Sequence, residues 1–408
     1  MWSKFVPLAL FLALIQNSLG DGSVGGPGAD STGFGNFEEI GPIDITSTGR
    51  NYTWLQFADL VFVDNPVGAG FSYVDDPTAY THNVQDIAND LFTWAKDFFG
   101  TKHPEYQTRP FYIFCESYGG KMSAAFAKTL QDGIDQSTIK ANLQGVALGD
   151  SWISAMDFVN TWGPYLHAVS YLDENQLAQA QAQAATCQKL VDQSQWTDAT
   201  NCWGDMENLI GDLTNGVSWY NILKEGGQDE WSVAKKYNSV KYLKKRTPLQ
   251  TLYDNHVRPM QHDSLTDFMN GPIRQKLGII PSKVSFGAQS GRVFDAQSGD
   301  FMTPNYATVD NLLTRGVNVN VYVGQLDLIC DVLGTEMWMD RLTWTGYSTF
   351  KNSPRNSYSV QNLDGNYVDG YVKSYKNLQM WYILRGGHMV AHDSPWAALH
   401  VLQSILKK

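Results

Sequence analysis

Short apolar runs alternate along the chain with longer segments whose apolar positions recur at helical spacing. Runs of β-branched and aromatic residues predict buried strands at residues 57–64, 111–114, 146–148, 317–323 and 380–384. The longer segments predict helices at residues 83–100, 121–130, 309–313 and 395–407. Strands that alternate with helices favour a mostly parallel sheet covered on both faces, which is an α/β fold.

The first predicted helix carries signals at both of its ends. Asn83 precedes its first apolar position and is a good helix N-cap residue, and Gly100 follows its last apolar position and favours a stop. We therefore expect the helix to begin after Asn83 and to end at Gly100.

The middle of the chain shows a different pattern. Residues 178–189 are helical and polar, and residues 197–245 mix Trp, Tyr and charged residues without any strand signal. We interpret residues 157–260 as a helical cap inserted into a core built from residues 21–156 and 261–408. The pattern does not distinguish a cap that lines a substrate pocket from a plain helical appendage.

The N-terminal residues 1–20 predict a signal peptide. Lys4 precedes an apolar run from Phe5 to Ile15, and small residues follow at 18–20 as a cleavage site. The run is too short to span a bilayer, and no later segment is long and apolar enough to do so. We therefore expect a secreted or lysosomal protein without a membrane partner.

In a secreted protein, cysteines can form disulfides and an asparagine in a sequon can carry a glycan. Cys187 and Cys202 lie close together in a polar region and predict a disulfide, whereas Cys115 and Cys330 are expected to stay reduced and buried. Asn51 begins an Asn-Tyr-Thr glycosylation sequon. The net charge of −11 argues against nucleic-acid binding, which requires a basic surface.

Ser117 lies between a predicted strand and a predicted helix, in the segment CESYGG. A Ser on a strand–turn–helix with small neighbours is typical of a nucleophile elbow, where the helix N-terminus points at a developing oxyanion. Because Cys115 replaces the first Gly of the G-x-S-x-G pattern, an ordinary turn Ser is an equally good interpretation of this segment alone. The elbow geometry favours Ser117 over Cys115 as the nucleophile.

Two further residues could form a catalytic triad with Ser117. Asp327 follows the predicted strand at 317–323, and His388 follows the predicted strand at 380–384. Ser, Asp and His in this chain order are typical of α/β-hydrolase triads, and open α/β sheets place their sites at the carboxyl ends of strands. We find no metal-ligand spacing and no phosphate loop, so we expect neither a metal nor a cofactor.

These motifs and several others occur in an order that resembles one family. They are residues 25–28 (GGPG), 61–73 (VFVDNPVGAGFSY), 116–120 (ESYGG), 148–152 (LGDSW), 324–330 (GQLDLIC) and 387–390 (GHMV). The chain is similar to serine carboxypeptidases of the α/β-hydrolase fold, and within them to the retinoid-inducible (vitellogenic-like) branch. The resemblance implies removal of C-terminal residues from peptides or proteins by Ser117, Asp327 and His388.

The resemblance also implies binding roles for residues around the triad. Backbone N–H groups of Gly26 and Tyr118 would form the oxyanion hole. Gly25 and a protonated Glu116 would hold the substrate's C-terminal carboxylate, which predicts an acidic pH optimum because two carboxylates cannot share a site when both are ionised. Met389 would line the pocket of the leaving residue.

The sequence departs from the family at its N-terminus. Val24 stands where the family has Asn or Gln, which loosens the expected carboxypeptidase specificity, and few residues precede the Gly-rich loop, where the family has several strands. Two alternatives to a peptidase therefore stay open. One is an esterase or acyltransferase on the same triad, and the other is a catalytically impaired secreted paralogue, or a truncated isoform, that acts by binding.

Overall fold

The computed structural model describes the backbone of residues 19–23 and the full residues 29–224, 246–261, 264–287, 289–360 and 367–407, with the backbone alone at residue 263. None of the helices in these ranges is long and apolar enough to cross a membrane.

One eight-stranded sheet organises the chain, in the order β2-β1-β3-β4-β5-β8-β7-β6. The strands are β1 (Leu19–Ser23), β2 (Asp59–Phe62), β3 (Pro110–Ser117), β4 (Asn142–Ser151), β5 (Asn318–Gly324), β6 (Asn356–Tyr358), β7 (Gly370–Tyr375) and β8 (Leu378–Ile383). The first six strands in this order are parallel to one another, and β7 runs antiparallel to both of its neighbours, β8 and β6. The predicted mostly parallel α/β sheet is confirmed.

Helices cover both faces of the sheet and form the cap. They are α1 (Val84–Asp97), α2 (Gly119–Asp135), α3 (Ala155–Ala168), α4 (Glu174–Asp192), α5 (Trp196–Thr214), α6 (Pro248–His256), α7 (Asp263–Phe268), α8 (Arg274–Leu277), α9 (Gly291–Ala296), α10 (Tyr306–Thr314), α11 (Val332–Met339), α12 (Tyr347–Lys351), α13 (Val390–Asp393) and α14 (Pro395–Leu406). Shorter helical turns occur at Ser31–Ile40, Trp54–Gln56, Pro77–Ala79, Phe98–Lys102, Pro104–Tyr106, Arg258–Met260 and Met269–Ile273.

Helix α1 shows one confirmed and one wrong boundary. The Asn83 side chain accepts hydrogen bonds from the backbone N–H groups of Gln85 and Asp86, so it caps the helix as predicted. The predicted stop at Gly100 is wrong, because α1 ends at Asp97 and the wider turn Phe98–Lys102 continues the chain past Gly100.

Strand β1 was missed by the sequence pattern. Its residues, LGDGS, show no apolar alternation, yet they pair in parallel with both β2 and β3. Neighbouring strands on both sides supply hydrogen-bond partners, and this tertiary effect outweighs the low strand propensity of Gly and Asp. The cleavage position predicted after Gly20 falls inside β1, and residues 1–18 of the predicted signal peptide lie outside the described residues.

Strand β3 is buried on both faces. Phe111 and Ile113 point into the larger apolar core, which includes residues of α1, α2 and the cap. Tyr112 and Phe114 point to the opposite side, into the core formed with α14. A strand covered on both faces needs a continuous apolar run, which is why residues 111–114 read as strand from the sequence.

The cap segment of the chain is helical where it is described, with α3 to α6 packed in succession. Cys187 on α4 and Cys202 on α5 form a disulfide that joins these two helices. Cys115 and Cys330 are unpaired and buried.

We expect the Cys187→Ser/Cys202→Ser double variant to unfold with a free energy about 3 kcal/mol lower than the wild type, because the disulfide closes a loop with a sequence separation of 15. Denaturant unfolding followed by circular dichroism measures this difference. Reductant should lower the midpoint of the wild type and leave that of the double variant unchanged. Equal midpoints for the wild type and the double variant in the absence of reductant would contradict the prediction.

Candidate active site

Ser117 lies at the carboxyl end of β3 in a strained backbone conformation. Its φ angle is +61°, and α2 begins at Gly119. A non-glycine residue at positive φ is unfavourable, and such strain is typical of a nucleophile elbow. A Cβ atom on Gly120 would lie 2.2 Å from Ser151 Oγ, so glycine allows the start of α2 to approach β4 closely. These features lift Ser117 above the sheet at the N-terminus of α2.

Asp327 and His388 meet at the same edge of the sheet. Their loops follow β5 and β8, which are adjacent and parallel, so both strands end on the same side. His388 Nδ1 lies 2.8 Å from Asp327 Oδ2, and both side chains are buried. The backbone N–H of Cys330 donates to the other carboxylate oxygen of Asp327 at 3.2 Å. The Asp327 carboxylate therefore fixes the orientation of the imidazole.

The second imidazole nitrogen of His388 is available for chemistry. His388 Nε2 is buried and has no hydrogen-bond partner among the described residues. Ser117 and His388 line the same cavity. An imidazole whose Nδ1 is held by a carboxylate and whose Nε2 has no other hydrogen-bond partner can accept a proton from a nearby serine hydroxyl.

The two triad loops pack backbone against backbone. The N–H of Leu326 donates to the Gly386 carbonyl at 2.9 Å. A Cβ atom on Gly324 would lie 2.1 Å from the Gly387 carbonyl oxygen. Only glycine permits so close an approach, so the glycines around these loops set the distance between Asp327 and His388.

The cavity around Ser117 has a polar end and an aromatic wall. Glu116, Tyr118 and Met389 join Ser117 and His388 in its lining. The remaining lining residues come from the cap and from the neighbouring core, and they are Trp152, Trp203, Tyr220, His256, Met260, Gln289, Phe294, Phe301 and Ile329. Residues from the segment 157–260 therefore line the cavity.

Tyr118 is held by a buried ion pair that the sequence did not indicate. Its hydroxyl donates to Asp300 Oδ2 at 2.7 Å, and Lys121 Nζ donates to the same oxygen at 2.8 Å. The Lys121 side chain is fully buried. In the sequence Lys121 looks like an ordinary residue at the start of a helix, and only the fold brings Asp300 to it.

Glu116 lies in a group of buried acids. Burial, followed by the nearby Glu39, raises the pKa of Glu116 well above its usual range. Burial also raises the pKa of Glu39 to about 8, although Arg50 opposes the shift. Glu39 Oε1 has no hydrogen-bond partner among the described residues. Sequence reasoning missed Glu39, although an acidic residue within the apolar stretch 34–40 was a usable signal.

The pKa of Asp393 is lowered, unlike that of Glu116 and Glu39, because several groups donate hydrogen bonds to its carboxylate. Burial opposes ionisation, but the hydrogen bond from His392, Lys224 and the Asn221 amide together lower the pKa of Asp393 to about 2. Its Oδ2 also accepts the backbone N–H of Gly387 at 2.9 Å. Asp393 therefore stays ionised, and its charge helps to keep Glu116 and Glu39 protonated.

Asp150 is a further buried acid beside the triad. It lies near the end of β4 with φ of +39°, and its Oδ1 accepts the N–H of Gly324 at 2.8 Å. Burial raises the pKa of Asp150 well above its usual range, and the charges of Asp327 and Glu116 add to the effect. The sequence analysis assigned no role to this residue.

Asp327, Cys330 and His388 offer three ligand atoms within 4.8 Å of one another. A cysteine ligand must be a thiolate. Burial and the Asp327 charge raise the pKa of the Cys330 thiol well above its usual range, which opposes metal binding. His388 Nδ1 is also engaged with Asp327. The donor set therefore fits a hydrogen-bonded Asp–His pair better than a metal.

The remaining predicted residues fall in three places. Gly25 and Gly26, with Val24, lie outside the described residues. Asn51 is exposed on a loop between Ser31–Ile40 and β2. Cys115 is buried, its thiol donates to the Ala147 carbonyl at 3.2 Å, and burial raises its pKa to about 12. So high a pKa makes Cys115 a poor nucleophile beside Ser117.

Comparison with known proteins agrees with this architecture. The model of the family described as serine carboxypeptidase (Peptidase_S10) matches residues 24–408. A mouse protein named retinoid-inducible serine carboxypeptidase is 46% identical over 384 residues, which cover 94% of this chain and 83% of the relative. Serine carboxypeptidase-like 51 of Arabidopsis thaliana is 39% identical over 391 residues, covering 94% of this chain and 84% of that protein.

The solved structure of Kex1(delta)p, a prohormone-processing carboxypeptidase from Saccharomyces cerevisiae, has a TM-score of 0.76 and 20% identity, and the match covers 96% of this chain and 83% of that one. This likeness shows the fold. The family match and the identities show that the chain belongs to the serine carboxypeptidase family, a class of hydrolases that act on peptides. The resemblance drawn from its motifs is confirmed.

We expect Lys121→Met to lower the free energy of unfolding by roughly 3–5 kcal/mol, because the substitution leaves the Asp300 carboxylate buried without its cation. Lys128→Met is the matched control on the same helix. Lys128 pairs with Asp132 at the surface, and such pairs contribute about 0.2–1 kcal/mol. Urea unfolding compares the two variants, and equal losses of stability would contradict a special role for the buried pair.

Proposed function

We propose that the protein is a serine-type carboxypeptidase that releases C-terminal amino acids from peptides or proteins through an acyl-enzyme formed on Ser117. The observation that carries the proposal is the bond of 2.8 Å between His388 Nδ1 and Asp327 Oδ2, with His388 Nε2 left without a partner among the described residues and His388 lining the same cavity as Ser117. The assignment of roles to these three residues agrees with the triad order in the sequence.

The reaction begins with proton transfer from the Ser117 hydroxyl to His388 Nε2. The Ser117 oxygen attacks the scissile carbonyl, and the resulting oxyanion accepts a hydrogen bond from the Tyr118 N–H at the start of α2. His388 then donates the proton to the leaving amine as the peptide bond breaks. A water molecule then gives a proton to His388 and attacks the acyl-enzyme, and His388 returns that proton to the Ser117 oxygen as the acid product leaves. Asp327 stabilises the imidazolium in both steps.

Selection of C-terminal residues would depend on Glu116. In its protonated form Glu116 can donate a hydrogen bond to the substrate's carboxylate, and burial together with Glu39 favours that form. By family resemblance, Gly25 would also bind the substrate's carboxylate, and the Gly26 N–H would be the second oxyanion donor. Met389 lines the same cavity and would contact the side chain of the leaving residue.

We further propose that the protein is secreted or lysosomal and carries a glycan on Asn51. The signal-like residues 1–20 and the disulfide between Cys187 and Cys202 support an oxidising compartment. The exposure of Asn51 agrees with glycosylation. An increase in electrophoretic mobility of the secreted protein after glycosidase treatment, absent in Asn51→Gln, tests this assignment.

We expect a fluorophosphonate probe at mildly acidic pH to label the wild type and Cys115→Ala, and not Ser117→Ala. The probe needs both an activated serine and a working base, so labelling separates an enzyme from a protein that acts only by binding. Mass spectrometry of the labelled peptide identifies the modified residue. Labelling of Ser117→Ala, or its loss in Cys115→Ala, would overturn the assignment of the nucleophile.

We expect kcat/KM for peptides to be highest at mildly acidic pH and to fall at higher pH as Glu116 loses the proton that it donates to the substrate carboxylate. The acid form of a carboxyl exists below its pKa, and raised pKa values of Glu39 and Glu116 extend that form towards neutrality. Hydrolysis of an ester substrate that lacks a carboxylate serves as the control and should not show this loss.

Glu116→Gln should remove the decline of peptide hydrolysis at high pH, because an amide donates a hydrogen bond at any pH. Flat peptidase activity of the wild type from mildly acidic to mildly alkaline pH would overturn the role of Glu116. An ester activity that far exceeds peptidase activity at every pH would favour the esterase or acyltransferase alternative.

A further inference from the structure

A cap loop, residues 217–222, follows α5 and touches both triad loops. The Trp219 carbonyl in this loop accepts the N–H groups of Leu328 and Ile329 at 3.1 and 2.9 Å, directly after Asp327. Backbone hydrogen bonds of this kind restrict the loop that carries Asp327. The cap therefore reaches the catalytic acid through main-chain contacts.

The next residue of the cap loop holds the loop of His388. The Tyr220 carbonyl accepts the backbone N–H of His388 at 2.6 Å. A Cβ atom on Gly387 would lie 2.3 Å from that carbonyl oxygen, so glycine at this position makes the contact possible. The Asn221 amide adds a bond of 2.8 Å to Asp393, which also accepts the N–H of Gly387.

The Tyr220 side chain contacts the catalytic imidazole directly. Its ring centroid lies 5.1 Å from that of His388, with an angle of 49° between the planes. The Tyr220 hydroxyl lies 2.9 Å from His256 Nδ1 at the end of α6. The phenol ring therefore bridges His256 in the cap and His388 in the triad.

His256 is itself oriented by a buried carboxylate. Its Nε2 lies 2.6 Å from Glu207 Oε1 on α5, and Glu207 is almost fully buried. Glu207 also accepts hydrogen bonds from Trp203 Nε1 at 2.6 Å and from the Asn255 amide at 2.8 Å. In the tautomer that donates Nε2–H to Glu207, Nδ1 accepts a hydrogen bond from the Tyr220 hydroxyl.

We propose that Tyr220, held by the Glu207–His256 pair of the cap, is a positioning residue for His388. The inference rests on the proposed Ser117–His388–Asp327 mechanism. The chain of contacts runs from Glu207 through His256 and Tyr220 to the imidazole, and each link is a hydrogen bond or a ring contact between side chains. Catalysis is sensitive to the placement of the general base, so the position of the Tyr220 ring affects the rate of the chemical step.

The test compares Tyr220→Phe, His256→Gln and the double variant with the wild type. Phenylalanine keeps the ring and the backbone contacts and removes the hydroxyl, whereas glutamine keeps a donor for Glu207 and loses the bond to Tyr220. We expect kcat to fall by about one order of magnitude with little change in KM, a part of the roughly 10²–10⁴-fold that a positioned general base contributes. The double variant should be no slower than the slower single variant, because both changes break the same chain of contacts.

A second readout does not depend on substrate binding. The proton between His388 Nδ1 and Asp327 should give a downfield resonance in proton NMR, and in Tyr220→Phe it should shift or exchange faster with water. Inactivation by a small dialkyl fluorophosphonate, which has no peptide side chain to contact the cap, should slow by the same factor as kcat.

The control is Tyr347→Phe, which removes a hydroxyl bonded to Asp340 at 2.6 Å in another part of the fold. It should keep the wild-type rate, and all variants should keep the wild-type melting temperature to within a few degrees. An unchanged downfield resonance together with an unchanged inactivation rate in Tyr220→Phe would overturn the inference. If the wild type itself were not inactivated, the proposed function would fail, and the resonance alone would still decide whether Tyr220 positions His388.

Discussion

The hydrogen bond between His388 and Asp327 is the contact on which the rest of the site depends. It joins two loops that follow adjacent parallel strands, and it lies where neither side chain is exposed to water. A buried carboxylate that lost its partner would cost several kcal/mol, so the surrounding backbone has to hold the pair together. Glycines at 324 and 387 let the backbones approach closely enough to do so.

Burial also explains the raised pKa values of several acids around the site. The protein carries a net charge of −11, and several of its carboxyl groups are buried around the site. Glu116, Glu39 and Asp150 respond by a raised pKa, because burial penalises the charged form and their neighbours are acids too. Asp393 alone among them has enough donors to stay ionised. Burial thus favours the neutral form of Glu116, Glu39 and Asp150, while the ionised Asp393 bonds to the backbone of the His388 loop.

The cap contributes to this arrangement in two ways. Its aromatic residues form one wall of the cavity, and its loop 217–222 supplies carbonyls to the loops of both Asp327 and His388. A cap that bonds to the catalytic loops cannot move far without disturbing them. The disulfide between α4 and α5 stiffens the same helical layer.

The sequence by itself determined the strands with continuous apolar runs, the Asn83 cap and the order of Ser117, Asp327 and His388, because these depend on local propensity and on motifs read along the chain. The tertiary structure decided the strand Leu19–Ser23, whose partners lie far away in sequence. It also decided the roles of Glu39, Asp150, Asp393 and the pair Glu207–His256. Their chemistry comes from desolvation and from charges on distant residues, which no pattern along a single chain records until the fold brings them together.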